Sequence, residues 1–353
     1  MSKSSQVYPR IRNGVLLEES ANRKVELTDA GLHLIDSILW LDATPSADLS
    51  FLSSVLNAEQ LGSFKVSKRP QQVIATEETL RLLELKSKKP NGLVCQYNRP
   101  FSIGRLKMEL LPSGSVLGGA SLYVEHGKER ILYAPYLLPQ KSSTVRQMQL
   151  KKANVLIIGA FHPDVSASMP NRRREKDRLI SSAKAHISAG RYPVIYCHEF
   201  PIAQELTKEL ADAEVPIAVH SSIYKINRIY EQFGSKLGEY SLFSPKWTKN
   251  KVLILPMPRD GRPAVRSPVP NGPIFYVEKY LTSSLGPSIQ ASVEERFFVS
   301  DIADLKEIRE VISVVNPKEV YVIGPYAKQY CEELRSLPQK IRPLYPNGQT
   351  CLF

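Results

Sequence analysis

The stretch LWLDATPSADLSFLSSVLNAEQLG, residues 39–62, constrains the fold more than any other part of the chain. Its first three residues, 39–41, form a short apolar run that ends at Asp42 and a turn, which is typical of a strand. Residues 50–53 predict a second short strand, and a helix is expected to begin near residue 57. The stretch therefore predicts a strand ending in an aspartate, a loop, a second strand and a helix, in that order.

At this point the sequence resembles the metallo-β-lactamase superfamily. Within that superfamily it is similar to the β-CASP branch of DNA-ligase-associated exonucleases and messenger-RNA 3′-end-processing-like nucleases. Those proteins carry a strand ending in aspartate and then an apolar strand that runs into His-x-His-x-Asp-His. Two metal ions, usually zinc, bind there and activate a water to cut a phosphodiester. The resemblance implies an α/β fold, the metallo-β-lactamase αββα sandwich with an inserted α/β β-CASP domain.

Other residues occupy the metal-ligating positions of that family in this chain, although the strand-end aspartate is kept as Asp42. Leucine, alanine, proline and isoleucine side chains offer no lone pair, and a serine hydroxyl is a poor zinc ligand beside imidazole. The resemblance therefore implies a scaffold that has lost its metal chemistry, with no catalytic residue, no bound metal and no cofactor. The degenerate metal-site positions are Asp42, Ser54, Leu56, Ala58, Glu59, Ser115, Pro135 and Ile302.

Two later motifs extend the resemblance over nearly the whole chain. PSGSVLGGA, residues 112–120, keeps the glycines with which the family turns tightly between two strands. FFVSDIAD, residues 297–304, is similar to the family's return motif Leu-Ser-Asp-His-Ala-Asp. We expect Asp42, Asp301 and Asp304 to be retained for turn and cap hydrogen bonds rather than for chemistry.

The order of the elements divides the chain into three parts. Residues 1–170 are interpreted as the first part of the metallo-β-lactamase-like domain, 171–291 as a β-CASP-like insertion and 292–353 as the return segment of the first domain. Between residues 192 and 281 strand patterns alternate with helical patterns, which predicts a parallel α/β sheet.

The net charge of +12 and the pI of about 9.4 favour a polyanionic partner, most often nucleic acid. Two segments concentrate the cations, the loop KVSKRP and the first turns of a helix predicted over residues 171–190. Cations at a helix N-terminus oppose the helix dipole, so a phosphate contact would explain them, whereas most charge runs are simply solvated surface. The candidate nucleic-acid-binding residues are Lys65, Lys68, Arg69, Arg172, Arg173, Arg174, Lys176 and Arg178.

Other features set the expected compartment. No apolar run approaches the ~20 residues of a membrane helix, and the N-terminus lacks the apolar core of a signal peptide. The four cysteines are widely spaced and form no CxxC pair, which is typical of reduced thiols. We therefore expect a cytoplasmic protein without a membrane partner.

Three functions are compatible with these patterns. The first is a catalytically inactive β-CASP nuclease homologue, a pseudoenzyme that binds nucleic acid or acts as a scaffolding subunit in DNA repair, replication or RNA processing. Its partners would be DNA or RNA and an active nuclease paralogue, a ligase or a helicase. The second is an active nuclease with a relocated or single-metal site, built from Asp42, Glu59, Asp301 and His198. The third is a protein-interaction module that binds no nucleic acid.

The scattered histidines leave one further alternative open. His162 and His198 follow predicted strands, where ligands often lie, and Asp164 and Glu199 are their neighbours in sequence. These four residues could form a new site, whereas hydrogen-bonded structural histidines are the default interpretation.

Overall fold

A computed structural model describes residues 11–12, 15–16, 24–43, 48–56, 72–85, 91–244, 250–258, 272–281 and 293–345. In these ranges the chain has a mixed α/β fold with three large sheets and six helices. A separate antiparallel pair is formed by β1 (Ile11–Arg12) and β2 (Val15–Leu16). None of the helices in these ranges is long and apolar enough to cross a bilayer.

The first large sheet has its six strands in sequence order. Its first three strands pair antiparallel, and β5 to β8 pair parallel. The strand predicted at 39–41 is confirmed as β5, and the strand predicted at 50–53 is found as β6 at 49–51. Residues 55–56 are helical, and residue 57, near which a helix is expected to begin, lies outside the described residues. The strands are β3 (Val25–Thr28), β4 (Gly31–Leu34), β5 (Leu39–Leu41), β6 (Leu49–Phe51), β7 (Gln72–Ala75) and β8 (Asn91–Val94), with helix α1 (Glu77–Leu83) after β7.

The second large sheet combines an antiparallel meander with parallel strands. Its order is β21-β20-β13-β12-β11-β10-β9, and β12, β13, β20 and β21 pair parallel. One face packs against the first sheet in a shared apolar core, where the rings of Phe51 and Tyr133 lie 6.2 Å apart edge to face. The strands are β9 (Phe101–Ile103), β10 (Leu106–Pro112), β11 (Ala120–His126), β12 (Glu129–Ala134), β13 (Val155–Gly159), β20 (Glu319–Ile323) and β21 (Lys340–Pro343).

Two helices cover the other face of the second sheet, α5 (Leu305–Val315) and α6 (Ala327–Leu334). Helix α5 begins at a capping box, in which Asp304 accepts from the backbone N–H of Glu307 and Glu307 accepts from that of Asp304. These two bonds satisfy N–H groups that a helix start otherwise leaves unpaired. In this sandwich the first sheet covers one face of the second sheet, and helices α5 and α6 cover its other face.

The third large sheet is wholly parallel, as the alternation of strands and helices predicts. Its strand order is β16-β15-β17-β14-β18-β19, and it lies in the chain between β13 and β20, which pair with each other. The predicted boundary at residue 291 falls before β19, which still belongs to this sheet. The strands are β14 (Val194–Cys197), β15 (Ile217–Val219), β16 (Ser241–Leu242), β17 (Val252–Pro256), β18 (Ile274–Glu278) and β19 (Glu295–Phe298); the helices are α2 (Arg172–Ser188), α3 (Ile202–Asp212) and α4 (Ser221–Gln232).

Apolar packing holds the inserted sheet and its helices against the first sheet. Leu52 and Val73 of the first sheet share a buried cluster with Leu117 and with Ile226 and Tyr230 of α4. The Tyr230 hydroxyl also accepts a hydrogen bond from the backbone N–H of Leu117 at 3.3 Å. This buried contact fixes the inserted helix α4 against the first sheet and the glycine loop at 112–119.

Candidate functional site

A group of polar side chains follows strands of all three sheets, and the region that they occupy is called the crevice. Asp42 follows β5, His162 follows β13, Lys279 follows β18 and Asp301 follows β19. Burial raises the pKa of Tyr136, and the negative charges of Asp42 and Asp301 raise it further, so carboxylates from different sheets lie near one ring. Asp42 is the one residue of this group that the sequence predicts at a degenerate metal-site position, and Ile302 follows Asp301 directly.

Asp42 uses both of its carboxylate oxygens to join strands. Its Oδ1 accepts from the backbone N–H of Ser53 at 2.7 Å, and its Oδ2 accepts from the Tyr133 hydroxyl at 2.7 Å. The residue lies in the left-handed region at φ 49°, which asparagine and aspartate tolerate better than other non-glycine residues. Asp42 thus fastens the end of β5 to the loop after β6 and to β12.

The remaining degenerate positions are packed into the protein. Ser54, Leu56, Ser115, Pro135 and Ile302 are all buried. Leu56 belongs to the cluster between the first sheet and the insertion, and the Ser115 hydroxyl lies 3.1 Å from that of Ser113. The Ser54 hydroxyl has no hydrogen-bond partner in the described structure. Ala58 and Glu59 lie outside the described residues.

The return motif places Asp301 beside a lysine. The Lys279 ammonium lies 2.6 Å from Asp301 Oδ2, and the aspartate side chain is 1% exposed. A carboxylate removed from water is stabilised by a nearby opposite charge. Here the ammonium of Lys279 supplies it.

Two other aspartates of the crevice also have backbone donors. Asp164 Oδ2 accepts from the N–H of Leu281 at 2.7 Å, and Asp304 Oδ1 accepts from the N–H of Glu307 at 2.9 Å. The expectation that Asp304 serves as a helix cap is confirmed. Over the described ranges, no three His, Cys, Asp or Glu side chains come together in a group that could hold a metal ion.

The two histidines of the crevice are held neutral by their surroundings. Burial lowers the pKa of His162, against the opposing effect of the carboxylates of Asp164, Asp304 and Asp301. Burial and then the charge of Lys279 lower the pKa of His198 to about 4, although Asp301 opposes the shift. His162 Nδ1 accepts from the N–H of Asp164 at 3.3 Å, while its Nε2 has no hydrogen-bond partner in the part of the chain that the structure describes.

The cations predicted to face phosphate along α2 have different environments. Arg172 and Lys176 are 4% exposed and pair with Glu205 and Glu209 of α3, so they are withdrawn from solvent. They therefore lie in the contact between two helices and not on a phosphate-binding surface. Arg172 also donates to the backbone carbonyl of Ser300 at 2.8 Å, which anchors the return motif.

The other candidate cations are only partly available. Arg173 pairs with Asp177 and Glu209, and Arg178 pairs with Glu175 and Glu295. Arg174 is exposed and forms no ion pair with any described residue. Lys65, Lys68 and Arg69 lie outside the described residues.

Sequence reasoning missed several side chains of the crevice. Tyr133, Tyr136 and Tyr280 surround the carboxylates, and Lys279 neutralises one of them. The available signal was their position, because each lies at or just after the C-terminal end of a predicted strand, where ligand-contacting residues concentrate in α/β folds.

Comparisons with known proteins find a distant sequence relative and a solved structure of similar fold. No family model matches the chain. A probable DNA ligase from Opitutus terrae is 22% identical over 227 residues, which cover 64% of this chain and 22% of that protein. The chain thus aligns with only about a fifth of that relative's length. A crystal structure of a protein of unknown function from Enterococcus faecalis V583 superposes with a TM-score of 0.58 at 11% identity, covering 86% of this chain and 80% of that one. The fold is therefore shared with a solved structure.

The Lys279–Asp301 pair generates a stability prediction. Lys279→Met should leave the buried Asp301 carboxylate without an opposite charge and lower the free energy of unfolding by about 3–5 kcal/mol. The double variant Lys279→Met/Asp301→Asn should recover most of that loss. Urea denaturation measures both, and Lys208→Met, which removes the partly exposed pair with Asp212, should cost no more than about 1 kcal/mol. A loss in Lys279→Met no larger than in Lys208→Met would contradict the assignment.

The half-buried His198 makes the stability of the fold depend on pH between the pKa values of its folded and unfolded states. The folded-state pKa of His198, about 4, is below the ordinary value of 6.5, so the unfolded chain takes up the proton first as the pH falls. The associated stability is complete above pH 6.5 and decreases towards pH 4, by about 3 kcal/mol for a shift of this size. Denaturation at a series of pH values measures the loss, and His198→Gln should reduce it. An equal pH dependence in wild type and variant would rule this cause out.

The ion network between α2 and α3 predicts a large effect of one neutral substitution. Glu205→Gln should leave Arg172 and Lys176 undercompensated and destabilise the protein by about 3–5 kcal/mol. Burial alone would raise the pKa of Glu205, but the two cations lower it below its ordinary value. The matched variant Asp212→Asn removes an exposed carboxylate of the same helix and should change stability by less than about 1 kcal/mol. Similar melting curves for the two variants would contradict the network's structural role.

Proposed function

We propose that this protein is a catalytically inactive β-CASP nuclease homologue that binds nucleic acid as a subunit of a DNA repair, replication or RNA-processing assembly. The observation that carries the proposal is the state of the crevice carboxylates. Asp42, Asp164 and Asp301 are bonded to a tyrosine, to backbone N–H groups and to Lys279, so the donors expected to face metal ions are used within the chain.

The architecture supports the finer fold assignment. Two sheets share one core, helices cover the outer face of the second, and a parallel sheet with three helices is inserted between two paired strands. This arrangement agrees with an αββα sandwich that carries a β-CASP insertion. The proposed inactive scaffold therefore requires only that the loops have changed while the sheets have stayed.

The proposed link to nucleic acid rests on charge and on a distant relative. The net charge is +12, and Arg174 is an exposed cation at the start of α2 without an intramolecular ion pair among the described residues. The related protein from Opitutus terrae is named a probable DNA ligase, although it aligns over 22% of its length. Both observations favour a partner with a phosphate backbone.

The main competing function is a nuclease with a relocated or single-metal site. The position of His162 beside the carboxylates of Asp164 and Asp301 would favour it, but the ring offers no free lone pair: Nδ1 accepts from the N–H of Asp164, so a neutral ring carries its proton on Nε2. Against it, the positive charge of Lys279 acts on His198 and Asp301, two of the groups that such a site would use. A cation brought there would meet a charge of its own sign.

Binding measurements test the proposed function. Fluorescence anisotropy with single-stranded and duplex DNA and RNA should show binding whose logarithm falls linearly with the logarithm of salt concentration. Arg174→Gln should weaken binding several-fold and reduce that slope by about 1, whereas Arg335→Gln, an equally exposed cation after α6, should leave both unchanged. Binding that ignores salt, or no binding to any of these nucleic acids, would refute the proposal.

Metal content and cleavage assays separate the alternatives. The purified protein should hold less than stoichiometric zinc and leave oligonucleotides intact in zinc or manganese. Stoichiometric bound zinc together with cleavage that Lys279→Met increases would favour the relocated site.

A further inference from the structure

A cavity lies between the glycine loop and the inserted helices, apart from the residues of the crevice. Its volume is about 430 Å³, within the range of small-ligand sites. None of Asp42, His162, Lys279 or Asp301 lines it. Its walls come from the glycine loop at 112–119, from residues 143–146, from Lys208 of α3 and from residues 233–236 after α4.

The wall charges of this cavity favour an anion. Three cations line it, Arg146, Lys208 and Lys236, against one carboxylate, that of Glu78. Lys208 already pairs with Asp212 at 2.8 Å. Arg146 and Lys236 are exposed and form no ion pair with any residue that the structure describes, and Arg146 lies 5.3 Å from the centre of the Tyr97 ring. Two cations are therefore free to meet a ligand.

Hydrogen bonds and close packing hold the glycine loop in a fixed position at the cavity wall. Two threonine hydroxyls, those of Thr76 and Thr79, donate to the carbonyl of Gly118 at 2.8 Å, and the Tyr97 hydroxyl donates to that of Gly119 at 2.9 Å. A Cβ on Gly118 would lie 2.4 Å from the Thr79 nitrogen, so the loop accepts only glycine at this close approach.

The rest of the wall is apolar. Val116, Leu117, Val145 and the partly exposed ring of Phe233 line the cavity beside the cations. An aromatic ring beside cations that pair with no described residue suits a ligand with a flat apolar body and a phosphate, because the ring stacks while the cations bind the phosphate oxygens.

We infer that this cavity binds a mononucleotide, with its phosphate at Arg146 and Lys236 and its base against Phe233. This site is separate from the proposed nucleic-acid surface and does not depend on it. The expected ligand carries about two negative charges, which the two free cations match.

Isothermal titration calorimetry of the full chain with adenosine monophosphate tests the inference. The nucleotide should bind, inorganic phosphate should bind more weakly and compete with it, and adenosine should bind more weakly still. The double variant Arg146→Gln/Lys236→Gln should lose at least about tenfold in affinity. The matched double variant Lys184→Gln/Lys225→Gln removes the same charge from exposed positions outside the cavity and should bind like wild type.

A third variant keeps the test independent of any folding defect. Ser143 is exposed on the cavity wall, so Ser143→Glu should repel the phosphate while leaving the melting temperature of the free protein unchanged. Equal loss of affinity in both double variants would overturn the inference, as would binding of oligonucleotides at this site without binding of the mononucleotide. Retention of salt-dependent oligonucleotide binding by Arg146→Gln/Lys236→Gln would support it and would leave the proposed nucleic-acid function standing.

Discussion

The pairing of Lys279 with Asp301 is the interaction on which the arrangement of the crevice depends. Asp301 is almost fully buried, and its negative charge could not remain there without a nearby cation. Lys279 follows β18 of the inserted sheet, whereas Asp301 follows β19 and leads into α5 of the second sheet. The ion pair therefore fixes the point where the chain leaves the inserted sheet, and it balances the buried negative charge.

The other buried aspartates of the crevice also have structural partners. Each buried carboxylate must accept hydrogen bonds or meet a positive charge whatever its role. Asp42 accepts from Tyr133 and Ser53, and Asp164 accepts from Leu281. Once these structural partners exist, losing the aspartates would cost stability, so their presence in the sequence reports on folding.

How far the sequence could predict the structure depends on the range of the interaction. Apolar periodicity and capping are local, so β5, β6, α1, the parallel inserted sheet and the cap of α5 follow from short segments. The position of β19 in the inserted sheet does not, because it depends on pairing with β18. The burial of the basic residues at the start of α2 also cannot be predicted from a short segment. Arg172 lies 33 residues from Glu205, and only the packing of α2 on α3 brings them together.

The crevice and the cavity beside the glycine loop differ in whether their polar groups have partners within the chain. Around the crevice, strand ends from three sheets converge, so side chains of opposite polarity are close enough to satisfy one another. In the cavity beside the glycine loop, the loop's carbonyls accept from Thr76, Thr79 and Tyr97. Of the wall cations, Lys208 pairs with Asp212, whereas Arg146 and Lys236 pair with no carboxylate that the structure describes. Unpaired cations at the wall of an open cavity are satisfied by water or by an anionic ligand, and a phosphate satisfies several of them at once. The cavity beside the glycine loop is therefore better suited to a ligand than the crevice, where the polar groups satisfy one another.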